Sequence, residues 1–268
     1  MTTTASAEGP IEAAARALYR DHLERQKLEP LPDEIRPRDT AQAYAIQDRL
    51  QALYAEAGHA LAGWKVALTT PVMQALVGID HPLEGGIFAD RVYVGQARRK
   101  AADYVNIGVE SEIAVRLGRD LGADGAPYDR NSVADAVEAC MAAIEIVDDR
   151  GIDYKRLDAE LLIADNAFNF GCVLGPPVSD WRRLDLAAIA GRMVINGETV
   201  GEGTGSAVMG HPFEALAFLA NSLVRRGRPL AAGQIVMTGS IVATKWLKAG
   251  DEMATVIDGL GEARLSLL

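Results

Sequence analysis

The sequence predicts an α+β fold built on a mixed β core, and three observations predict it. Short runs with period-two hydrophobicity outnumber helical ones along the 268 residues. Two amphipathic helical patterns open the chain, and strand-like runs dominate after residue 60. Strict strand–helix alternation, the mark of a doubly wound sheet or an α/β barrel, is absent. These features divide the chain into a helical N-terminal segment, 1–60, and a β-rich domain, 61–268. Apolar residues make up 49% and charged residues 24%, as in ordinary globular chains of a length that buries a substantial core. The formal net charge of −10 argues against nucleic acid and anionic membrane surfaces as partners. An anionic small substrate stays open, because a bound cation inverts the local field.

Residues 1–9 read as disordered, with no basic, apolar leader pattern. Pro10 opens a helix whose stripe is Ile11, Ala14, Ala15, Leu18, Tyr19, His22 and Leu23. His22, on that stripe, reads as a packed core histidine. Asp39 and Gln42 suggest a capping box for a second helix carrying Ala43, Ile46, Leu50 and Leu53 and ending at Gly58. Two such helices cannot bury their own stripes and must pack on the β-rich remainder of the chain. From Gly63 the period changes to two, with Trp64, Val66 and Leu68 on one side and Lys65 on the other. Pro71–Val77 reads as a short helix, Gly78–Pro82 as a turn and Gly85–Asp90 as a strand. Residues 95–103 read as a basic, exposed connector, and Gly118–Tyr128 as a loop. Ser132 is expected to start a helix lined by Val133, Ala136, Val137, Cys140 and Met141, leading into a strand around Glu145. Arg150 beside Asp148 and Asp149 reads as an ion pair with them. Asp158–Ala167 suggests a short helix and Asn169–Leu174 a strand. Asn196-Gly197 between apolar residues signals a hairpin. Gly201–Gly205 lacks the context of a nucleotide-binding loop and reads as a tight backbone passage. Pro212–Arg226 is a helix stopped by Gly227. Gln234–Ser240 reads as a strand running into a turn. Asp258-Gly259 turns the closing hairpin. No run is long and apolar enough to span a bilayer as a helix. Cys140 and Cys172, far apart among apolar residues, suit buried free thiols in a reducing compartment, which points to the cytoplasm. The four histidines show no zinc-ligand spacing.

The chemistry concentrates in Val105–Val115. Val105, Ile107 and Val109 share one parity; Gly108, Glu110, Glu112 and Ala114 share the other. On a strand, Glu110 and Glu112 therefore lie on one face, roughly 7 Å apart along the backbone. Like charges so close raise each other's pKa unless a cation intervenes. Glu145 stands alone among Ile144, Ile146 and Val147, and a buried carboxylate is paired or metal-bound. Three such carboxylates suit one hard divalent cation, Mg²⁺ or Mn²⁺. Spacing alone leaves a solvated strand edge equally open.

Seven segments in order resemble the 2-keto-4-pentenoate hydratase / 4-oxalocrotonate decarboxylase family of the fumarylacetoacetate hydrolase superfamily. They are Gly63-Trp-Lys-Val-Ala-Leu-Thr-Thr, Gly78-Ile-Asp-His-Pro, Val109-Glu-Ser-Glu, Ile144-Glu-Ile-Val-Asp-Asp-Arg, Ala164-Asp-Asn-Ala, Met209-Gly-His-Pro and Met237-Thr-Gly-Ser. The resemblance implies a mixed β-roll core of the C-terminal-domain type, with packed helices and a small helical N-terminal part. It implies Mg²⁺ or Mn²⁺ held by Glu110, Glu112 and Glu145, with Lys65 and Asp80 as active-site residues. From their own surroundings, Lys65 would be an exposed strand lysine and Asp80 a turn residue. The implied activity is hydration of a 2-oxo-alkenoate or 2-hydroxydienoate, a small anionic substrate of aromatic-compound breakdown. Self-association is implied as well, with a decarboxylase of the same pathway as a further partner.

The chain departs from the family pattern at Ala67-Leu68-Thr69-Thr70, at Asp149 and at Phe168-Asn169-Phe170. The last replaces small polar residues with a bulkier wall and bears on the substrate tail. Three readings stay open: a hydratase; the same scaffold decarboxylating a 2-oxo-enedioate or hydrolysing an acylpyruvate; and a non-catalytic partner subunit. A hydrolase wants a His–Glu pair in the N-terminal part, and none is evident. A decarboxylase wants a cation at the far carboxylate, for which Arg91 is a candidate.

Overall fold

A computed structural model describes residues 9–268; the expected disorder at the start falls almost wholly outside them. In chain order the elements are α1 (Pro10–Leu23), α2 (Thr40–Glu56), β1 (Leu61–Ala67), α3 (Pro71–Leu76), β2 (Leu83–Phe88), β3 (Val92–Val94), β4 (Gln96–Arg99), β5 (Ile107–Leu117), α4 (Arg130–Ala134), β6 (Val137–Asp148), α5 (Ala159–Ala164), β7 (Asn169–Leu174), β8 (Ala190–Ile195), β9 (Glu198–Thr204), α6 (Pro212–Arg225), β10 (Ile235–Trp246), β11 (Glu252–Ile257) and β12 (Gly261–Leu267). Among the described residues, seven strands form one sheet in the order β2-β1-β10-β5-β6-β7-β3, and five form a second in the order β4-β12-β11-β8-β9. Both sheets are mixed: β1–β10, β3–β7 and β4–β12 run parallel and their other neighbours antiparallel. No described helix is long and apolar enough to cross a membrane.

The alternation in β5 decides what lies where. Val109, Ile113 and Val115 join the main core with Met253, Ile257 and Leu265 of the second sheet. Ala114, of the opposite parity, packs instead with Ile87, Ala143 and Met237. The face that carries Glu110 and Glu112 is therefore the one turned away from the inter-sheet core. The N-terminal helices close over this side. Leu18 of α1 and Ile46 and Leu50 of α2 share one apolar cluster with Leu83, Phe88, Leu161 and Leu162. The amphipathic pair thus buries its stripes against β2 and α5. Caps agree with the local chemistry: Asp39 accepts from the Gln42 N–H, and Gln42 reaches back to the Arg38 N–H. Gly203 shows why glycine recurs at 201, 203 and 205. A Cβ there would lie 1.9 Å from the Ile241 carbonyl oxygen.

Four expectations need correction. Residues 96–99 are no connector but β4, paired in parallel with β12; such a partner, far away in sequence, leaves no local signal. The helix expected from Ser132 is a single turn. Asp129 caps it reciprocally with Ser132, and Cys140 and Met141 belong to β6. The run Val137–Val147 is apolar enough to satisfy either period, and pairing along β5 settles it as strand. The strand expected to turn after Ser240 continues to Trp246 through register shifts in its pairing with β5. Arg150 spends its guanidinium on Asp165, 2.5 Å away, while Asp148 receives only its backbone N–H.

Glu84 of β2 is a buried carboxylate that sequence reading missed. It accepts from Tyr44 Oη (2.8 Å), Ser222 Oγ (2.8 Å) and Arg226 Nη1 (2.7 Å), and so ties α2 and α6 to the sheet. A fully paired carboxylate of this kind has no need of a metal.

Candidate metal and substrate site

The three carboxylates predicted from spacing come together because β6 lies antiparallel against β5 with Glu145 directly opposite Glu110. Directly opposed residues share a face, and Glu112 follows two positions along. Each side chain offers an oxygen within 4.8 Å of the others. Glu112 and Glu145 are fully buried, while Glu110 is partly open to a cavity. Lys65, on the face of β1 opposite Trp64 and Val66, is 4% exposed rather than solvated. Its Nζ lies 3.1 Å from Glu145 Oε1.

Neighbouring groups aim the carboxylates. The Asn169 amide donates to Glu145 Oε1 (2.8 Å), the Gly239 N–H to Glu112 Oε2 (2.8 Å) and the Thr244 hydroxyl to Glu110 Oε1 (2.5 Å). Glu112 Oε1 and Glu145 Oε2 are buried and accept nothing. Burial pushes the Glu112 carboxyl well above its ordinary range, helped by the charges of Glu145 and Glu110. Burial raises Glu145 as well, against the pull of Lys65. For Lys65, burial works to lower the pKa, but the fields of Glu145, Glu110 and Glu112 outweigh it and the ammonium is favoured.

This donor set fits a hard divalent cation. Oxygens ligated at about 2.1–2.4 Å to one ion lie at most ~4.8 Å apart, and two of the oxygens here lack any other partner. Three carboxylates and one ammonium leave two negative charges, which such an ion would neutralise.

Asn169, Gly239 and Thr244 were given no site role from sequence, although Asn169 and Gly239 lie in segments compared with the family pattern. The signal for Gly239 was a glycine interrupting a strand. Its φ is +119°, and a Cβ would meet the Thr69 side chain at 2.6 Å. Asn169 is delivered by an unusual turn in which Asn166, Ala167 and Phe168 all have positive φ (58°, 51° and 59°). Each non-glycine residue there costs roughly 1–2 kcal/mol. The Asn166 side chain holds the turn: its Oδ1 accepts from Gly86 N–H (2.7 Å) and Gln51 Nε2 (2.9 Å), and its Nδ2 donates to Gly86 O (2.9 Å).

A cavity of about 430 Å³ opens from Lys65 and Glu110. Thr69, Ser240 and Thr244 line it near the carboxylates, and Leu68, Met73, Leu76, Phe168 and Trp246 form much of its wall. Of the two phenylalanines that depart from the family pattern, Phe168 faces this cavity. Phe170 packs on Tyr104 and under Arg91 instead. Asp80 is exposed on the segment after α3 and is not among the residues lining the cavity. Behind the Phe168–Asn169 turn lies a separate cavity of about 40 Å³, lined by His22, Arg91, Arg150 and Asp165 among others. His22 bonds Tyr54 Oη (2.9 Å) and Asp165 Oδ1 (2.7 Å), as suits a packed histidine.

The family model described as fumarylacetoacetate (FAA) hydrolase C-terminal matches residues 90–267. The chain is 37% identical to a 2-keto-4-pentenoate hydratase of Paraburkholderia phymatum over 264 residues, covering 97% of this chain and 98% of that one. It is 35% identical to a 2-hydroxyhexa-2,4-dienoate hydratase of Comamonas testosteroni, covering 94% and 95%. Its backbone is similar to that of the 4-oxalocrotonate decarboxylase of Pseudomonas putida G7 complexed with magnesium and adipate. That match has a TM-score of 0.89 at 27% identity, covering 96% and 97%.

Proposed function

The chain belongs to the fumarylacetoacetate hydrolase family, and from that membership and the carboxylate cluster we propose that it is a divalent-metal-dependent hydro-lyase. It takes a 2-hydroxy-2,4-dienoate, through its 2-oxo-3-enoate tautomer, to a 4-hydroxy-2-oxo acid. The observation that carries this reading is the buried triad Glu110, Glu112 and Glu145 with two oxygens unpartnered, beside a buried lysine and a substrate-sized cavity.

Glu110, Glu112 and Glu145 would hold the metal, Mg²⁺ in this proposal, in keeping with the magnesium complex of the Pseudomonas putida G7 relative. When bound, the ion supplies Lewis acidity toward the substrate's carboxylate and 2-oxygen. Lys65, kept an ammonium by its neighbours, stabilises negative charge that develops on the 2-oxygen. The first half-reaction moves a proton from the 2-hydroxyl to the far end of the diene; the second adds OH at C4 and H at C3. Asn169, Gly239 and Thr244 keep the carboxylates aimed throughout. Asp80 acts as the second proton-carrying group only if the segment from α3 to Pro82 folds over the cavity mouth. Asp80→Asn tests this: a loss in kcat of tenfold or more supports the closure, and an unchanged kcat removes Asp80 from the mechanism.

The decarboxylase reading lacks its cation. Among the described residues lining the cavity, Lys65 alone is cationic, and Arg91 stands in the other cavity. The hydrolase reading lacks its base, since His22 is engaged by Tyr54 and Asp165. The proposal includes a cytoplasmic setting and self-association, the latter tested by light scattering. The decisive assay follows the dienol absorbance of fresh 2-hydroxypenta-2,4-dienoate with and without Mg²⁺, with product mass. Metal-dependent loss of the band and gain of one water supports the hydratase; loss of CO₂ from a 2-oxo-enedioate instead would establish the decarboxylase.

A further inference from the structure

We propose that the cavity is built for a 2-hydroxydienoate bearing a hydrocarbon tail of several carbons and no second carboxylate. This rests on the hydratase reading and names its substrate class.

The polar lining is concentrated at one end of the cavity. Lys65, Glu110, Ser240 and Thr244 gather near the carboxylate cluster, whereas Thr70 is the polar residue at the start of α3 and the α3 side chains that line the cavity are apolar. Helix α3 buries none of its own residues. Val72 is 80% exposed, Met73 42% and Leu76 49%, and all three line the cavity with Trp246, itself 45% exposed. Apolar side chains gathered in a concave, unfilled surface beside a polar cluster mark a ligand groove. Continuity decides the occupant: a substrate anchored at Lys65 and Glu110 has its remaining length directed along this wall. Size agrees. A benzene-sized ligand fills ~150 Å³, so about 430 Å³ takes on the order of seventeen non-hydrogen atoms, roughly twice what a five-carbon dienoate brings. Charge agrees as well. A second carboxylate on that wall would meet no cation among the described lining residues and would displace apolar contact without gaining a partner. Arg91 cannot supply one, because its guanidinium lies over the rings of Tyr54, Phe88 and Phe170 at 5.1, 5.5 and 4.6 Å in the separate small cavity.

The test measures kcat/KM of the full-length protein with Mg²⁺ on 2-hydroxy-2,4-dienoates of five, six, eight and eleven carbons, and on 2-hydroxyhexa-2,4-dienedioate. The expected result is a rise of roughly fourfold per buried methylene until the cavity is filled, with the eight-carbon acid at least tenfold above the five-carbon one and the dioate lowest. Leu76→Asp is expected to cut the eight-to-five-carbon ratio at least tenfold. A ratio within one preparation cancels any inactive fraction. Val72→Asp, at a position too exposed to endanger folding, is expected to act in the same direction. A best rate on the five-carbon acid or on the dioate, or a ratio unmoved by both substitutions, overturns the inference and leaves the hydratase standing. No turnover of any dienoate overturns both.

Discussion

Replacing Lys65 with methionine removes the one cation that the described residues place at the carboxylate cluster, while keeping most of the side chain's bulk. The Nζ–Oε1 separation of 3.1 Å corresponds to about 5 kcal/mol of attraction at an effective dielectric constant of ~20. Breaking a buried pair by removing one partner costs about 3–5 kcal/mol. At roughly 2–4 °C per kcal/mol for a chain of this size, metal-free Lys65→Met should melt about 6–20 °C below the parent. Uptake of a proton by Glu145 would move the value toward the lower end. Magnesium should narrow the gap. With its carboxylates ionised around the ion, the cluster would carry three negative charges instead of two once Lys65 is gone, so a divalent cation gains more there and its stabilisation of the fold grows with affinity. The assay is thermal unfolding of both proteins in EDTA and in a magnesium series, with turnover of the five-carbon dienoate in parallel. Expected are a lower metal-free midpoint, a larger magnesium-induced rise than in the parent, and turnover lost by at least a hundredfold. A metal-free midpoint within 2 °C of the parent, or a magnesium increment no larger than the parent's, would refute the assignment of Lys65 as the cluster's counter-charge.

Glu112→Gln removes a carboxylate whose charge burial and two like neighbours oppose. The metal-free protein should gain about 1–3 kcal/mol at pH 7, and its magnesium response, read by calorimetry, should fall at least tenfold. Asn166→Ala strips the hydrogen bonds that hold the positive-φ turn; a loss of about 2–4 kcal/mol is expected in denaturant unfolding, together with lower kcat as Asn169 shifts off Glu145. Asp165 carries the pH prediction. Burial opposes its charge, yet Arg150 and His22 hold the carboxyl below its ordinary 3.8. Its contribution is thus complete above that ordinary value and lost as pH falls through the lowered one. Asp165→Asn should cost about 3–5 kcal/mol at pH 7 by stranding Arg150. The gap to the parent should shrink below about pH 4; a constant gap across the acid range would contradict the pairing.

Much of the site was legible because period two is a property of the chain itself. The parity of Val105–Val115 already set Glu110 and Glu112 on one face, and the same rule separated Lys65 from Trp64 and Val66. The turn residues Asn196-Gly197 and Asp258-Gly259 and the cap Asp39 act within a few residues of themselves, and all appear where the pattern placed them. What remained hidden depends on partners far along the chain. Which strand faces β5, and that Glu145 meets Glu110 rather than a residue two positions away, is decided by the register of the whole sheet. Strand β4 exists only because β12 lies beside it, and β6 is strand rather than helix because β5 satisfies its backbone along its length. Burial turned Lys65 from a solvated strand residue into the neighbour of three carboxylates, while Asp80, read beside it, stands exposed. Local covalent geometry therefore determined the faces and the turns. Pairing and burial, free energies shared between distant segments, decided which charged groups meet.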